Sequence, residues 1–133
     1  MKNIIFDGVS KQYGEISVYR DFSLEIGAGK ITCLLGPSGC GKTTLLNMLA
    51  GLVPYDGKIE NIPARVSYIF QEERLLPNLT VKQNIAFALG KEADERRIAD
   101  VLAKVELSDR EDAWPSELSG GQAQRVSIAR AFA

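Results

Sequence analysis

At 133 residues, 45% hydrophobic and 25% charged, the chain has the size and composition of one ordinary globular domain with a core of its own. A net charge of −1 offers no basic surface for nucleic acid or an anionic membrane. No run approaches the roughly 20 apolar residues that span a bilayer, and the stretch from Met1 to Asp7 reaches an acid too early for a secretory signal.

Residues 2–7 and 18–25 read as two strands joined by a loop containing Gly14. Phe22, Leu24 and Ile26 alternate with Ser23 and Glu25, as a half-buried strand requires. Tyr13 lies 23 residues before Gly36; on its own it reads as a packing tyrosine, with stacking on an adenine ring as the alternative. After a turn at Gly27-Ala28-Gly29, the run Ile31-Thr32-Cys33-Leu34-Leu35 has the apolar character of a strand buried on both faces. Residues 45–50 read as a helix, stopped by Gly51 and later by Pro54.

Between that strand and that helix stands Gly36-Pro37-Ser38-Gly39-Cys40-Gly41-Lys42-Thr43-Thr44, which fits the phosphate-loop pattern of glycine, four residues, glycine, lysine and a hydroxyl residue. Glycines let the backbone wrap closely around phosphates with N–H groups pointing inward. The following helix start favours an anion. Lys42 is then expected at the β- and γ-phosphates of a nucleotide and Thr43 at a Mg²⁺ ion. The bland alternative is a glycine-rich turn without a ligand.

Cys33 and Cys40 lie seven positions apart, and the chain has no histidine, so a zinc site lacks ligands. Both are read as reduced thiols of a cytoplasmic protein. Cys40, beside helix N–H groups, is expected to have a lowered pKa and to react with alkylating reagents.

Further on, Asp56-Gly57 reads as a turn before a short strand at 58–60. Residues 66–70 read as another strand, followed at once by Gln71. Leu75-Leu76-Pro77-Asn78-Leu79 is an exposed loop unusually rich in leucine. Thr80 can cap a helix over Val81–Leu89, ended by Gly90. A second helix over 93–106 keeps Ile98, Val101, Leu102 and Val105 on one face, and its Asp94-Glu95-Arg96-Arg97 start reads as a solvated face. Leu118-Ser119-Gly120-Gly121-Gln122 opens a last helix over 123–131. Ser119 is the candidate cap, and two glycines leave backbone N–H groups accessible.

With its phosphate loop, Gln71 after a strand and the Leu118 to Gln122 motif in this order, the chain resembles the ATP-binding subunit of an ABC transporter over its whole length. Ser10-Lys11-Gln12-Tyr13-Gly14, the segment from Gln71 to Pro77 and Asn84-Ile85-Ala86 look most like bacterial nitrate, sulfonate and taurine importers. The resemblance implies an α/β P-loop ABC ATPase core, with a β subdomain and phosphate-loop core at 1–71 and the glutamine loop, helical subdomain and signature helix at 72–133. It assigns Tyr13 to adenine, residues 36–44 to phosphate, and Gln71 to sensing the γ-phosphate and Mg²⁺. Lys42 and Gln71 would serve catalysis, and Thr43 and Gln71 would face the metal. Ser119, Gly120, Gly121 and Gln122 would complete the ATP site of a second, head-to-tail subunit.

Membrane permease subunits would dock near residues 71–79, with a substrate-binding protein as an indirect partner and the cytoplasmic face of the membrane as the location. In the family an aspartate and a glutamate that support hydrolysis follow the signature helix, as does a switch histidine. None is present up to Ala133, so the sequence is read as the N-terminal part of a longer domain. Its sheet is expected to be incomplete, and these residues alone are expected not to hydrolyse ATP. Alternatives from other classes are a soluble ABC-type ATPase acting on DNA or ribosomes, which should show basic patches, and a non-hydrolysing module that dimerises on ATP.

Overall fold

The computed structural model describes residues 2–133, which form two compact units divided between Val66 and Ser67. In the first unit, β1 (Ile4–Tyr13) and β2 (Ile16–Ile26) form a long hairpin turning at Gly14, and β3 (Asp56–Glu60) pairs with the other edge of β1. The sheet order is β2-β1-β3, antiparallel throughout. A register shift between Phe6 and Val9, not plain alternation, brings both to one face, where they meet Leu45 and Met48 of helix α1 (Lys42–Leu49) in a buried cluster. Phe22 edges against Phe6 and tilts against Tyr19, with ring centroids 6.1 and 4.8 Å apart.

Both hairpin strands run longer than the sequence suggested. The expected turn at Asp56-Gly57 is instead the start of β3. Gly57 has φ +90°, and a Cβ there would lie 2.4 Å from the Gly8 carbonyl oxygen. The ladder between β1 and β3 slips between Asp7 and Ser10, so this glycine marks a bulge where two backbones nearly touch.

Two expected strands are absent. Residues 31–35 and 66–70 have no ladder partner and no regular structure. Ile31 and Leu35 are exposed, and only Leu34 reaches the core of the first unit. An apolar run reports the burial a segment favours, whereas a strand needs hydrogen-bonded neighbours, which neither run finds among the described residues.

The second unit is helical: α2 (Val81–Leu89), α3 (Glu95–Lys104) and α4 (Gly120–Phe132) bury Ile85, Leu89, Ile98, Leu102, Val126 and Ala129 together. Thr80 caps α2 in a capping box with Gln83. Asp94 is exposed, as expected of a solvated face, and also caps α3 by accepting from the Arg97 N–H at 2.7 Å. Beside it, Glu95 pairs with Lys82 at 2.6 Å, and that hydrogen bond holds the lysine above its ordinary pKa. Among the described residues no helix is long and apolar enough to cross a membrane.

Candidate functional site

The first unit holds the glycine-rich loop. Gly39 and Gly41 sit at φ +80° and +97°, in the left-handed region, and Gly41 is the N-cap of α1. A Cβ on Gly41 would come within 2.8 Å of Val18 Cγ1, and one on Gly36 within 2.8 Å of Cys40 Sγ. Conformation and space therefore both require glycine at 41, while at 36 a side chain would fill the inside of the loop. Lys42 reaches back over the loop: its Nζ donates to the carbonyl oxygens of Gly36 at 2.8 Å and Pro37 at 2.7 Å, and lies 3.6 Å from Cys40 Sγ. Thr43 is exposed on the first turn of α1, with Thr44 half-buried behind it. Pro37, Ser38, Gly39 and Cys40 are all exposed.

Sequence reasoning missed Tyr19, which docks the loop onto the hairpin. Its hydroxyl donates to the Gly41 carbonyl at 3.1 Å. Burial raises its pKa above the ordinary tyrosine value, and charge on Cys40 adds to the rise. Its Cα partner across the hairpin is Lys11, whose ammonium stands 4.6 Å over the Tyr13 ring. Tyr13 itself is about half exposed at the end of β1, on the same sheet that carries Tyr19. Strict alternation from Phe22, Leu24 and Ile26 would send Tyr19 to the opposite face; the register shift between the Val9 and Lys11 pairs turns it back beside Phe22, and the sequence carries no signal for that shift.

The second unit holds the remaining candidates. Gln71 is exposed at a bend. Three residues on, the Arg74 guanidinium stacks 4.0 Å over Phe70, and its carbonyl accepts from Arg130 Nη1 of α4 at 2.8 Å. Ser119 caps α4: Ser119 Oγ accepts from the Gln122 N–H, and Gln122 Oε1 accepts from the Ser119 N–H at 2.9 Å. Gly120 and Gly121 are exposed, with no heavy atom near where their Cβ would lie and neither among the left-handed glycines.

The leucines at 75, 76 and 79, expected in an exposed loop, are half-buried. Asn84, notable in the sequence only for its likeness to importers, is the residue that holds this loop. Its fully buried carboxamide binds the loop backbone at Leu76 and Leu79. Pro77 and Asn78 are left exposed.

A glycine-rich loop that runs into a helix through lysine and threonine defines the phosphate-binding class of α/β proteins. Residues 19–133 match the family model described as ABC transporter, and the chain belongs to that family. The α/β P-loop class expected from the sequence therefore stands.

Over 121 residues the chain is 47% identical to the aliphatic sulfonates import ATP-binding protein SsuB 1 of Pseudomonas savastanoi pv. phaseolicola, an alignment covering 90% of this chain and 51% of that protein. It is 49% identical over 127 residues to SsuB 3 of Paraburkholderia xenovorans, covering 95% and 51%. It is 41% identical over 147 aligned residues to the sulfate/thiosulfate import ATP-binding protein CysA of Gloeobacter violaceus, covering 98% and 43%. The chain spans about half the length of these curated relatives.

Proposed function

We propose that the chain supplies the nucleotide-holding part of an importer's ATP-binding subunit, one that acts on anionic sulfur-containing solutes through a membrane permease. The carrying observation is the loop from Gly36 to Lys42. It combines two left-handed glycines, a helix start and an ammonium group at its mouth, three features that suit a chain of phosphates. Lys42 spends two of its three donors on loop carbonyls, which sets its ammonium beside the helix N-terminus. A nucleotide would draw that ammonium to its β- and γ-phosphates.

Mg²⁺ takes oxygen ligands and keeps company with substrate phosphates. The exposed Thr43 hydroxyl, one residue past Lys42, fits that chemistry; the family resemblance alone assigns Gln71 a part at the same ion. A bound ion neutralises charge on the β- and γ-phosphates. Tyr13 offers its half-exposed ring to adenine.

Gly120 and Gly121 favour the second half of this reading. Glycine costs up to about 1 kcal/mol relative to alanine in a helix interior, and nothing among the described residues requires it at either position. Close approach by another molecule is a reason to keep them, and the ATP held by a second, head-to-tail subunit is the one we infer. Residues 71–79 would meet the permease, which would hold the subunit on the cytoplasmic face of the membrane, with a substrate-binding protein delivering solute on the far side. Residues 1–133 alone would bind ATP without turning it over, because the carboxylates that the family resemblance calls for are not among them.

The test is titration of a fluorescent ATP analogue with Mg²⁺, joined to recovery of membrane proteins with the tagged subunit from its native host. Micromolar binding and recovery of a multispanning permease are expected. Absence of nucleotide binding, or recovery of soluble partners alone, would overturn the reading.

A further inference from the structure

Asn84 is completely buried on α2, and its carboxamide is the hub of the segment before it. Oδ1 accepts from the Leu76 N–H at 2.9 Å. Nδ2 stands 3.1 Å from the Leu76 carbonyl oxygen and 3.0 Å from those of Leu79 and Thr80, so its two hydrogens serve three acceptors. Turning the amide over would set N–H against N–H and oxygen against three carbonyls, so the network itself fixes its orientation. Gln83 Oε1 adds a bond from the Thr80 N–H at 3.0 Å. Leu75 packs against the helical core, Leu76 and Leu79 are half-buried, and Pro77 and Asn78 form the exposed tip.

The same turn of α2 is tied on its other side to the segment that leads to Ser119. The Val81 N–H donates to the Ala113 carbonyl at 2.9 Å, and the Lys82 N–H to that of Glu111 at 2.8 Å. Arg130, on the helix that Ser119 caps, holds the Arg74 carbonyl just before the loop. Residues 74–80 are thus gripped from α2 and from α4.

We infer that Asn84 is a positioning residue: it sets the backbone of residues 76–80 so that their Pro77–Asn78 tip is presented to the permease, and its turn of helix carries that contact to the segment before Ser119. This rests on the importer reading above. It adds to that reading a residue buried beneath the surface, whose removal uncouples the permease without impairing the nucleotide site.

The experiment compares the subunit with its Asn84→Leu variant, a change that keeps the branched side-chain shape and removes the amide's hydrogen-bonding groups. ATP-analogue affinity is expected to stay within about twofold of the parent, while recovery of the permease and stimulation of ATP hydrolysis by it fall about tenfold, within the usual span of coupling between sites. A parallel fall in nucleotide affinity would assign Asn84 a general structural role and overturn the inference. Equal permease recovery by parent and variant would overturn it while leaving the importer reading intact. Failure of the parent itself to recover a permease would overturn both.

A measurement on the unaltered protein keeps the inference testable if the variant does not fold. The Leu76 amide should exchange its hydrogen at least about a hundredfold more slowly than an unstructured amide, as a protected group does. Exchange at the unstructured rate would overturn the inference.

Discussion

Tyr19 donates its phenolic hydrogen to the carbonyl oxygen of Gly41, 3.1 Å away, and so fastens the last glycine of the phosphate loop to the hairpin. That carbonyl also accepts from the Leu45 N–H at 2.9 Å, so losing the tyrosine would not leave it unpaired. Tyr19→Phe should therefore cost only about 1 kcal/mol of stability, the net value of one hydrogen bond, because the ring keeps its contact with Phe22. Affinity for the ATP analogue should fall severalfold as Gly41 loses its tether. Denaturant titration and ligand titration check the two effects separately; unchanged affinity would mean that the loop holds its shape without the hairpin.

The same contact makes a pH prediction. Burial raises the Tyr19 pKa above its ordinary value of 10.0. A group whose folded pKa is raised contributes stability that is fully present below the unfolded pKa and is lost as pH rises through the folded one. Stability should thus be insensitive to this residue at neutral pH and should decline above about pH 10 as the unfolded chain gives up the phenolic proton first. Tyr19→Phe should flatten that alkaline decline in a series of melts between neutral pH and pH 11. A decline of equal slope in both proteins would assign the alkaline loss to other groups.

Gly121→Ala separates folding from function. The position is helical, exposed and open, so a methyl group meets no obstacle among the described residues. Melting should show a gain of a few tenths to about 1 kcal/mol, the propensity difference between the two residues. ATP-dependent dimerisation, followed by light scattering, should weaken, since the methyl group occupies the surface the second subunit's nucleotide would approach. A stabilised variant that dimerises like the parent would remove the argument that Gly121 serves close contact.

What the sequence revealed and what it withheld divide along local and non-local lines. Helix starts were legible because a cap and its partner lie three residues apart: Thr80 with Gln83 and Ser119 with Gln122 both form capping boxes. The phosphate loop was legible for the same reason, as its shape is set by glycines at positive φ within six residues. Residues 31–35 and 66–70 look like strands because their composition is apolar, yet strand pairing depends on distant neighbours that composition does not name. Tyr19 escaped notice, and Asn84 stood out only as a likeness to importers, because each acts through backbone groups, which have no letter in a sequence.

Lys42→Ala should lower ATP-analogue affinity strongly while leaving the fold in place. Its ammonium bonds to two carbonyls of an exposed loop, and neither acceptor is buried. Stability should therefore change by less than about 1 kcal/mol. The charge-assisted contact to phosphate is worth more, about 1.5–3 kcal/mol for a hydrogen bond to a charged group, which corresponds to a loss of about ten- to a hundredfold in affinity. Calorimetric titration with Mg-ATP checks the second figure and thermal melting the first. Affinity equal to that of the parent would show that the loop carbonyls, not a nucleotide, are the lysine's functional partners.

Cys40 allows the loop to be probed without changing a residue. Its thiol is exposed, lies 3.6 Å from Lys42 Nζ and faces the place a side chain on Gly36 would fill. An alkyl group on Sγ would therefore stand in the space that phosphates are proposed to occupy, and a nucleotide there would shield the sulfur. Cys33 is also exposed but precedes the loop, in the segment without strand pairing, and serves as an internal reference. With Mg-ATP at about ten times its Kd, labelling of Cys40 should slow about tenfold, in proportion to the fraction of free sites, while Cys33 keeps its rate. Chain alkylated at Cys40 beforehand should bind no ATP analogue. Mass spectrometry of timed samples reads both rates in one experiment. Equal slowing at both cysteines would indicate a global change on ligand binding, and no slowing at Cys40 would place the nucleotide outside the loop.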